Sequence, residues 1–260
     1  MESLKGKVVL VTGASAGIGE ACVRAFAGAG AAVVAAARRR KRLEALAEEL
    51  RKTGGRVLPL FLDVRDRACV DATLSALSPE WAAVDVLVNN AGLGRGLDKL
   101  HEGDPAEWEE MLDTNVKGLL FVTRRVLPGM VARGRGHVIN IGSVAGRETY
   151  PGGGVYCASK FAVRGLTRAL KMDLTGTSVR VTTVDPGMVQ TEFSKVRFRG
   201  DEARAAAVYK NLEALRPEDV ADAVVWAASR PARVDVTELV LMPTAQSGAT
   251  LVHRGALKGG

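Results

Sequence analysis

The stretch KVVLVTGASAGIG at residues 7–19 decides the fold class of this chain. Its first half, Lys7 to Thr12, is an apolar, β-branched run that is typical of a buried strand. Glycines follow at positions 13, 17 and 19, and an Ala-rich helical pattern continues to about residue 28. A strand, a tight turn and a helix N-terminus in this order offer backbone N–H groups and a positive dipole end to a pyrophosphate. The glycine spacing differs from that of the commoner phosphate-binding motif G-x-G-x-x-G. The segment therefore resembles that motif in its phosphate-binding mechanism but not in its exact sequence.

Strand-like and helix-like segments alternate along the rest of the chain. We predict strands near 7–12, 32–37, 57–61, 84–88, 136–141, 178–184 and 237–241, and helices near 17–29, 40–52, 66–77, 105–132, 155–174, 202–213 and 217–229. This alternation with short connections predicts an α/β fold, in which a doubly wound, Rossmann-like, parallel seven-stranded sheet carries helices on both faces. Residues 1–260 are expected to form a single domain whose ends, at 1–5 and 255–260, are frayed.

Composition and charge favour a soluble, cytoplasmic enzyme. The net charge is +7, but aromatic residues make up only 5% of the chain and accompany no zinc or base-stacking motif, so we expect no nucleic acid partner. The N-terminus has no apolar signal segment, and no run approaches the roughly 18 apolar residues of a membrane span, so we expect no membrane partner. Three widely spaced cysteines and three isolated histidines predict neither a disulfide framework nor a metal site.

Tyr156 and Lys160, in the string YCASK, lie four residues apart on a predicted helix, with Ser143 thirteen residues upstream. At this spacing the phenol and the ammonium project from one helix face. A cation within about 4–6 Å stabilises the phenolate and is expected to lower the phenol pKa from about 10 by about 1–3 pH units. That change would make Tyr156 a usable proton donor or acceptor. Taken alone, a Tyr-x-x-x-Lys pair is more often a surface pair on an amphipathic helix.

A basic run at residues 38–42, RRRKR, follows the second predicted strand, and the first acid after it is Glu44. At this position a Rossmann enzyme that uses NAD usually carries an acid for the ribose 2'-hydroxyl, whereas an arginine accommodates the 2'-phosphate of NADP. Paired guanidinium groups bind phosphate through charge-assisted hydrogen bonds. Arg38 and Arg39 therefore predict NADP as the cofactor. The other three residues are interpreted as a solvated helix start, and a nuclear-localisation or nucleic-acid signal is the alternative.

A series of motifs then occurs in one order along the chain: TG at 12–13 leading to Gly19, NNAG at 89–92, Asn115, Ser143, Tyr156-x-x-x-Lys160 and PG at 186–187. Together they resemble the short-chain dehydrogenase/reductase family over essentially the whole chain. Further segments look like the NADP-dependent 3-hydroxy acid dehydrogenases that oxidise serine and allo-threonine. These segments are DVRD at 63–66, VLPGM at 126–130, INIGS at 139–143, TEFSKVRFRGD at 191–201 and VHR at 252–254.

The resemblance assigns roles to four catalytic candidates. It implies that Tyr156 transfers the proton and that Ser143 hydrogen-bonds the substrate oxygen. It also implies that Lys160 binds the nicotinamide ribose and lowers the Tyr156 pKa, and that Asn115 orients a water that links Lys160 to solvent. Singly, Ser143 is also explained as a loop hydroxyl, and Asn115 as a polar helix residue near Gly118.

The resemblance also implies a set of cofactor contacts. Among them, Asp63 resembles an adenine contact, although a helix cap is the alternative, and Asn90 resembles a residue that braces the central strands. Thr191 resembles the contact to the nicotinamide carboxamide. Asp185 departs from the family pattern, since many relatives carry Asn before Pro-Gly. The implied cofactor-binding residues are Gly13, Ser15, Gly17, Ile18, Gly19, Arg38, Arg39, Asp63, Val64, Asn90, Ala91, Gly92, Tyr156, Lys160, Pro186, Gly187, Val189 and Thr191.

Residues from about 189 to 215 resemble the family's mobile substrate lid and carry Lys195, Arg197 and Arg199. Such loops close on a bound substrate and exclude water. Cations on a lid suit an anionic small-molecule substrate, and the alternative is that they stay solvated or reach the NADP phosphates. Further candidates for the mouth of the pocket are Leu93, Gly94, Arg147 and Tyr150.

Three functional interpretations follow. The first is an NADP(H)-dependent dehydrogenase of small 3-hydroxy acids such as serine, allo-threonine or 3-hydroxypropionate, which reduces malonic semialdehyde in reverse. The second is a reductase of other small aldehydes or ketones, including sulfonated aldehydes or a broad carbonyl range. The third, a non-catalytic dinucleotide sensor, fits poorly with the complete set of four catalytic candidates. The helices near 105–132 and 155–174 resemble the family's four-helix dimer contact, which implies a homotetramer.

Overall fold

The structure is a computed structural model that describes residues 2–256. Its strands are β1 (Val8–Thr12), β2 (Ala32–Ala37), β3 (Arg56–Phe61), β4 (Val86–Asn89), β5 (Gly136–Ile141), β6 (Val179–Pro186) and β7 (Glu238–Leu241). Its α-helices are α1 (Gly17–Gly28), α2 (Arg40–Lys52), α3 (Arg67–Ser75), α4 (Pro79–Ala82), α5 (Pro105–Leu112), α6 (Gly118–Ala132), α7 (Gly154–Asp173), α8 (Phe193–Arg197), α9 (Glu202–Val208) and α10 (Pro217–Ala228). A π-helical turn spans Asp113–Lys117, and a 3₁₀ turn spans Val144–Gly146.

The seven strands form one parallel sheet in the order β3-β2-β1-β4-β5-β6-β7, which confirms the predicted fold class. Every residue of β1 and β2 is buried, as expected for strands covered on both faces by helices. At the centre, Val9 of β1 pairs with Val33 of β2 on one side and Val86 of β4 on the other.

Two apolar layers cover the sheet. On one face, α1, α2 and α10 pack against the strands through side chains such as Phe26, Leu43 and Val220. On the other face, α3 and α6 pack through side chains such as Val70 and Val122, and Leu174 after α7 joins them. The chain crosses from one half of the sheet to the other between β3 and β4, so β1 and β4 flank the point where the strand order reverses. Ligands of open α/β sheets bind at the carboxyl ends of the strands at such a point.

The helices differ from the predictions in four places. The helix predicted over 105–132 is interrupted by the π-helical turn at Asp113–Lys117, which a uniform 3.6-residue period does not reveal. The helix predicted over 202–213 ends at Val208, and Asn211 beyond it has a positive φ of 55°. The short helices Pro79–Ala82 and Phe193–Arg197 were not predicted, because single turns carry no periodic pattern.

The N-terminal segment is ordered against the body, so the predicted fraying of residues 2–5 is wrong. Leu4 is buried, and the backbone N–H of Glu2 donates to the Ser229 carbonyl at 2.8 Å. Met1 and residues 257–260 of the segments predicted to fray lie outside the described residues. Within residues 2–256, none of the helices combines the length and apolar character that crossing a membrane would require.

Candidate active site

The carboxyl ends of the central strands open onto a cavity of about 900 Å³. This volume lies within the range of small-molecule and cofactor sites. The predicted site residues that line the cavity are Gly13, Ser15, Gly17, Ile18, Arg38, Arg39, Asp63, Val64, Asn90, Ala91, Gly92, Ser143, Tyr156, Lys160, Pro186, Gly187, Val189 and Thr191. Gly19 and Asn115 lie behind its wall, where each packs against lining residues.

The turn between β1 and α1 carries only small side chains, and its residues Gly13, Ser15, Ala16 and Gly17 line the cavity. Gly13 and Gly17 have positive φ values of 66° and 55°. A Cβ atom at Gly13 would lie 2.8 Å from Asn90 Nδ2, and one at Gly19 would lie 2.4 Å from the same atom. Helix α1 begins after Ala16, whose side chain cannot cap the first N–H groups of the helix, and Ala16, Gly17 and Ile18 line the cavity. These features fit a dinucleotide pyrophosphate.

Asn90 ties the glycine turn to the strand on its other side. Its Nδ2 donates to the carbonyls of Thr12 at 2.9 Å and Gly13 at 3.3 Å. In return, Thr12 Oγ1 accepts the backbone N–H groups of Asn90 and Ala91 at 3.1 and 3.0 Å. This reciprocal set joins the ends of β1 and β4, so Asn90 braces the central strands in the way that the sequence predicted.

The two arginines after β2 have different surroundings. Arg39 donates from Nε to Ser15 Oγ at 2.9 Å and from Nη1 to Glu192 at 2.8 Å. Glu192 also pairs with Arg42 at 2.8 Å, so Arg42 is not merely a solvated helix residue as predicted. Arg38 lines the cavity, and its positive charge contributes to lowering the pKa of Asp63. Both predicted phosphate-binding residues therefore line the same cavity as the glycine turn.

Asp63 is a cavity residue and not a helix cap. Its carboxylate accepts three hydrogen bonds from the Arg65 side chain at 2.7–3.2 Å, and these bonds are the main reason that its pKa is low. The N-cap of α3 is Asp66, which accepts the Cys69 N–H at 3.0 Å. The alternative interpretation of Asp63 as a cap is therefore wrong.

Tyr156, Ser143 and Lys160 line the same wall of the cavity. Ser143 Oγ accepts the Ala145 N–H at 3.1 Å, and its hydroxyl is close enough to hydrogen-bond the Tyr156 phenol. Lys160 is buried within α7, and its Nζ donates to the Ile141 carbonyl at 3.0 Å. The end of β5 and the first turn of α7 thus bring together a phenol, a hydroxyl and an ammonium.

Burial dominates the electrostatics of this wall. It raises the pKa of Tyr156 to about 12, and the smaller effects of Arg197 and the Ser143 hydroxyl lower it. Burial lowers the pKa of Lys160 to about 8, and the Asp185 carboxylate opposes that change. The predicted net lowering of the Tyr156 pKa is wrong, since the loss of hydration outweighs the nearby positive charge.

The cation over Tyr156 is Arg197 and not Lys160. The guanidinium carbon of Arg197 lies 4.9 Å from the Tyr156 ring centroid, whereas Lys160 Nζ lies 6.0 Å from it. Arg197 also stacks on Phe193 at 5.0 Å and donates from Nη2 to the Tyr150 hydroxyl at 3.0 Å. Three aromatic rings therefore surround a planar cation, one of them the ring of Tyr156.

Asn115 lies in the π-helical turn and is almost fully buried. Its Oδ1 accepts the Leu93 N–H and its Nδ2 donates to the Leu93 carbonyl, both at 2.8 Å, and Nδ2 also donates to Ser159 Oγ at 3.0 Å. A Cβ atom at Gly92 would lie 3.2 Å from Asn115 Oδ1 and 3.7 Å from Lys160 Nζ. The turn therefore directs Asn115 at the loop after β4, close to Lys160.

Arg147 is not at the pocket mouth, contrary to the prediction. It pairs with Asp185 at 2.7 Å and with Glu238 of β7. Asp185, the residue that departs from the family pattern, also accepts the Thr183 hydroxyl at 2.6 Å and is buried. The carboxylate is thus accommodated by a partner cation. Of the other pocket-mouth candidates, Leu93 and Tyr150 line the cavity, and Gly94 lies against Arg197.

The segment predicted as a lid is pinned at both ends. Val189 and Leu215 form an isolated parallel bridge, and the Gln190 N–H donates to the Leu215 carbonyl at 2.8 Å. Lys195 is exposed and pairs with Glu202 at 2.7 Å, and Arg199 is exposed and pairs with Glu107 at 2.8 Å. All three cations line the cavity, but Lys195 and Arg199 are exposed and ion-paired, which is close to the solvated alternative, whereas Arg197 is half-buried.

The site contains residues that the sequence did not single out. Phe193 packs edge-on against Tyr156, with 5.5 Å between ring centroids, and Glu192 bridges Arg39 and Arg42. Arg95, in the loop after β4, contacts the backbone of α8. Their partners are distant in sequence, so no local spacing could have identified them.

Comparison with known proteins agrees with this fold. The family model for short chain dehydrogenases matches residues 7–202, and the chain therefore belongs to the short-chain dehydrogenase family. An NADP-dependent 3-hydroxy acid dehydrogenase YdfG of Salmonella typhi is 51% identical, covering 95% of this chain and 99% of that protein. One from Schizosaccharomyces pombe is 43% identical over 98% and 99% of the two chains. A structure of the closed form of serine dehydrogenase complexed with NADP+ superposes with a TM-score of 0.91, at 50% identity, over 95% of this chain and 99% of that one.

Proposed function

We propose that this protein is an NADP(H)-dependent oxidoreductase that transfers a hydride between nicotinamide and the 3-hydroxyl or carbonyl carbon of a small hydroxy acid. Serine, allo-threonine and 3-hydroxypropionate are the candidate substrates, with malonic semialdehyde in the reverse direction. The observation that carries the proposal is the Arg197 guanidinium, a cavity-lining cation 4.9 Å from the Tyr156 ring centroid. The dehydrogenases of 3-hydroxy acids that are about half identical to this chain support the same substrate class.

The residues around the glycine turn support NADP as the cofactor. The turn with its small side chains and the uncapped start of α1 suit the pyrophosphate, and Arg38 and Arg39 suit the 2'-phosphate. When bound, the cofactor accepts the hydride during oxidation and supplies it during reduction.

In the proposed mechanism, Tyr156 moves the proton. Because burial keeps its phenol protonated near neutral pH, Tyr156 donates a proton to the carbonyl oxygen during reduction. During oxidation, the phenol first releases its proton through Lys160 and the water at Asn115, and the resulting phenolate then accepts the proton of the alcohol. The Ser143 hydroxyl, which neighbours the Tyr156 phenol, donates to the same substrate oxygen. Lys160 binds the nicotinamide ribose, and a water held at Asn115 passes the replacement proton between Lys160 and solvent.

Arg197 binds the substrate carboxylate in this proposal. Among residues 2–256 no carboxylate is ion-paired with Arg197, and its Nε has no hydrogen-bond partner there. Partial burial of a guanidinium without an anionic partner costs free energy, because the charge loses hydration. A carboxylate ligand would supply that partner through a bidentate contact. Its place above Tyr156 would direct the acid group to one side and the hydroxyl carbon toward the phenol.

The test is the substitution Arg197→Met with a matched control, Lys195→Met. We expect Arg197→Met to raise KM for a hydroxy acid at least tenfold, about 1.4 kcal/mol, while KM for a neutral ketone changes little. Lys195→Met should leave both values near wild type, because Lys195 is exposed and paired with Glu202. Both substrates are measured at saturating NADPH or NADP+. Equal increases in KM for the acid and the ketone would contradict the proposal.

Three further features belong to the same proposal. The segment 189–215 acts as a mobile lid, supported by its cavity-lining residues and its pinned ends. The chain forms a homotetramer, supported by large apolar side chains left exposed on α6 and α7, such as Leu120 and Phe161. A cytoplasmic location is supported by free cysteines at positions 22, 69 and 157.

A further inference from the structure

The loop after β4 donates hydrogen bonds to two successive backbone carbonyls of α8, those of Val196 and Arg197. Arg95 donates from Nη1 to the Val196 carbonyl, and the Gly96 N–H donates to the Arg197 carbonyl at 3.2 Å. Gly94, the residue before Arg95, leaves space for the Arg197 guanidinium, since a Cβ atom at Gly94 would lie 2.7 Å from Arg197 Nη2 and 2.8 Å from Nε. The backbone that carries Arg197 is therefore held from outside the lid.

Helix α5 fixes the direction of the Arg95 guanidinium. Arg95 donates from Nε and Nη2 to the two carboxylate oxygens of Glu110, at 2.8 and 3.0 Å. The two side chains are only 12% and 21% exposed, so water screens this pair less than an ordinary surface ion pair. A bidentate pair of this geometry leaves Nη1 as the group that points at the lid.

A second anchor lies one turn earlier on the same helix face. Glu107 accepts from Arg199 Nε at 2.8 Å. Glu107 and Glu110 are three residues apart and share a face of α5, whereas Glu109 between them is exposed. One acidic face of α5 thus receives the lid on both sides of Arg197, and Glu109 offers a matched control of the same charge.

We propose that Arg95 and Glu110 are positioning residues that hold α8 so that the Arg197 guanidinium stays over Tyr156. This inference rests on the proposed function, in which Arg197 binds the substrate carboxylate. Neither residue contacts the reacting atoms in this account, because Arg95 acts on the lid backbone and Glu110 acts on Arg95. Losing either contact releases the segment around Arg197 and weakens the binding of carboxylate substrates.

The first test measures the lid directly and does not depend on the substrate. Trypsin cleaves after lysine and arginine, and the lid carries Lys195, Arg197 and Arg199. In the holoenzyme with NADP+, Glu110→Gln and Arg95→Met should speed cleavage at these positions at least fivefold, whereas Glu109→Gln should match wild type. Cleavage of the first two variants at the wild-type rate would overturn the proposal.

The second test separates positioning from general damage. Glu110→Gln should raise KM for a hydroxy acid at least fivefold and leave both kcat and KM for a neutral ketone within about twofold of wild type. Arg95→Lys keeps the positive charge but cannot make the bidentate contact with Glu110. Its KM for the hydroxy acid should lie between the values for Arg95→Met and wild type. Equal losses with the acid and the ketone would overturn the positioning role. If the wild-type enzyme does not prefer acids, the proposed function fails. The trypsin cleavage rates still decide whether Arg95 and Glu110 hold α8 in place.

Discussion

Arg38 and Arg39 are neighbours in sequence, yet the structure gives them different tasks. Arg39 is bound to Ser15 and Glu192, so it also links the glycine turn to the start of the lid. Arg38 lines the groove close enough to Asp63 to affect its carboxylate. Arg38 is therefore the better residue for testing cofactor choice, because its substitution leaves the bridge to Glu192 intact.

Replacing Arg38 by Asp should reverse part of the cofactor preference. A carboxylate at this position repels the 2'-phosphate and accepts hydrogen bonds from a 2'-hydroxyl. We expect kcat/KM with NADP(H) to fall at least tenfold, about 1.4 kcal/mol, and kcat/KM with NAD(H) to stay constant or rise. Steady-state kinetics with both cofactors measure this. An equal loss with both cofactors would show that Arg38 does not distinguish them.

Lys160 is expected to set the alkaline limit of carbonyl reduction. With a pKa lowered by burial to about 8, its ammonium is present below that pH and is lost as the pH rises through it. Tyr156, with a pKa raised by burial to about 12, stays protonated over the same range. Rates of reduction should therefore fall above about pH 8.

The substitution Asp185→Asn should shift this alkaline fall in rate to lower pH, because the Asp185 carboxylate opposes the lowering of the Lys160 pKa. If the folded variant loses activity at the same pH as wild type, or at a higher pH, Lys160 does not set the alkaline limit.

At the scale of the elements, two glycines of α1 should respond oppositely to alanine. A Cβ atom at Gly19 would lie 2.4 Å from both Asn90 Nδ2 and the Gly13 carbonyl oxygen, so the brace between β1 and β4 would have to shift. We expect Gly19→Ala to lower the free energy of unfolding by roughly 1–3 kcal/mol and to weaken NADP binding. Gly28, in the same helix, has no atom within 4 Å of such a Cβ.

Gly28→Ala is thus the matched control, and it should leave stability unchanged or raise it by up to about 1 kcal/mol. Urea unfolding and NADP titration of the two variants provide the comparison. If Gly19→Ala is as stable as Gly28→Ala and binds NADP equally well, the close packing of the turn does not govern the cofactor groove.

Sequence alone predicted those elements whose signal is local. The run from Lys7 to Gly19 specifies a strand, a turn and a helix within thirteen residues, and the structure agrees with it. The π-helical turn at Asn115 and the short helix α8 have no comparable signal, because both depend on contacts with distant loops. The Tyr156 pKa was also predicted in the wrong direction, since burial of its hydroxyl follows from the folded arrangement and not from the spacing to Lys160.

At the scale of the whole molecule, the site depends on several segments meeting at one edge of the sheet. The glycine turn after β1, the loop after β4, the start of α7 and the lid after β6 all line the same cavity. Sheet order could be expected from the β-α alternation, but the pairing of Arg95 with Glu110 and of Arg39 with Glu192 joins different segments and needed the structure. The proposed acid-binding role of Arg197 would depend on this assembly, so it is best tested on the intact enzyme.

The most direct test of the central proposal is a comparison of 3-hydroxypropionate with its methyl ester as substrates of the wild-type enzyme. The two molecules share the reacting hydroxyl, and only the acid carries the negative charge that Arg197 would bind. At saturating NADP+, the initial rate of NADPH formation should give a kcat/KM at least tenfold higher for the acid, about 1.4 kcal/mol. A kcat/KM for the ester equal to or above that of the acid would contradict the assignment to hydroxy acids.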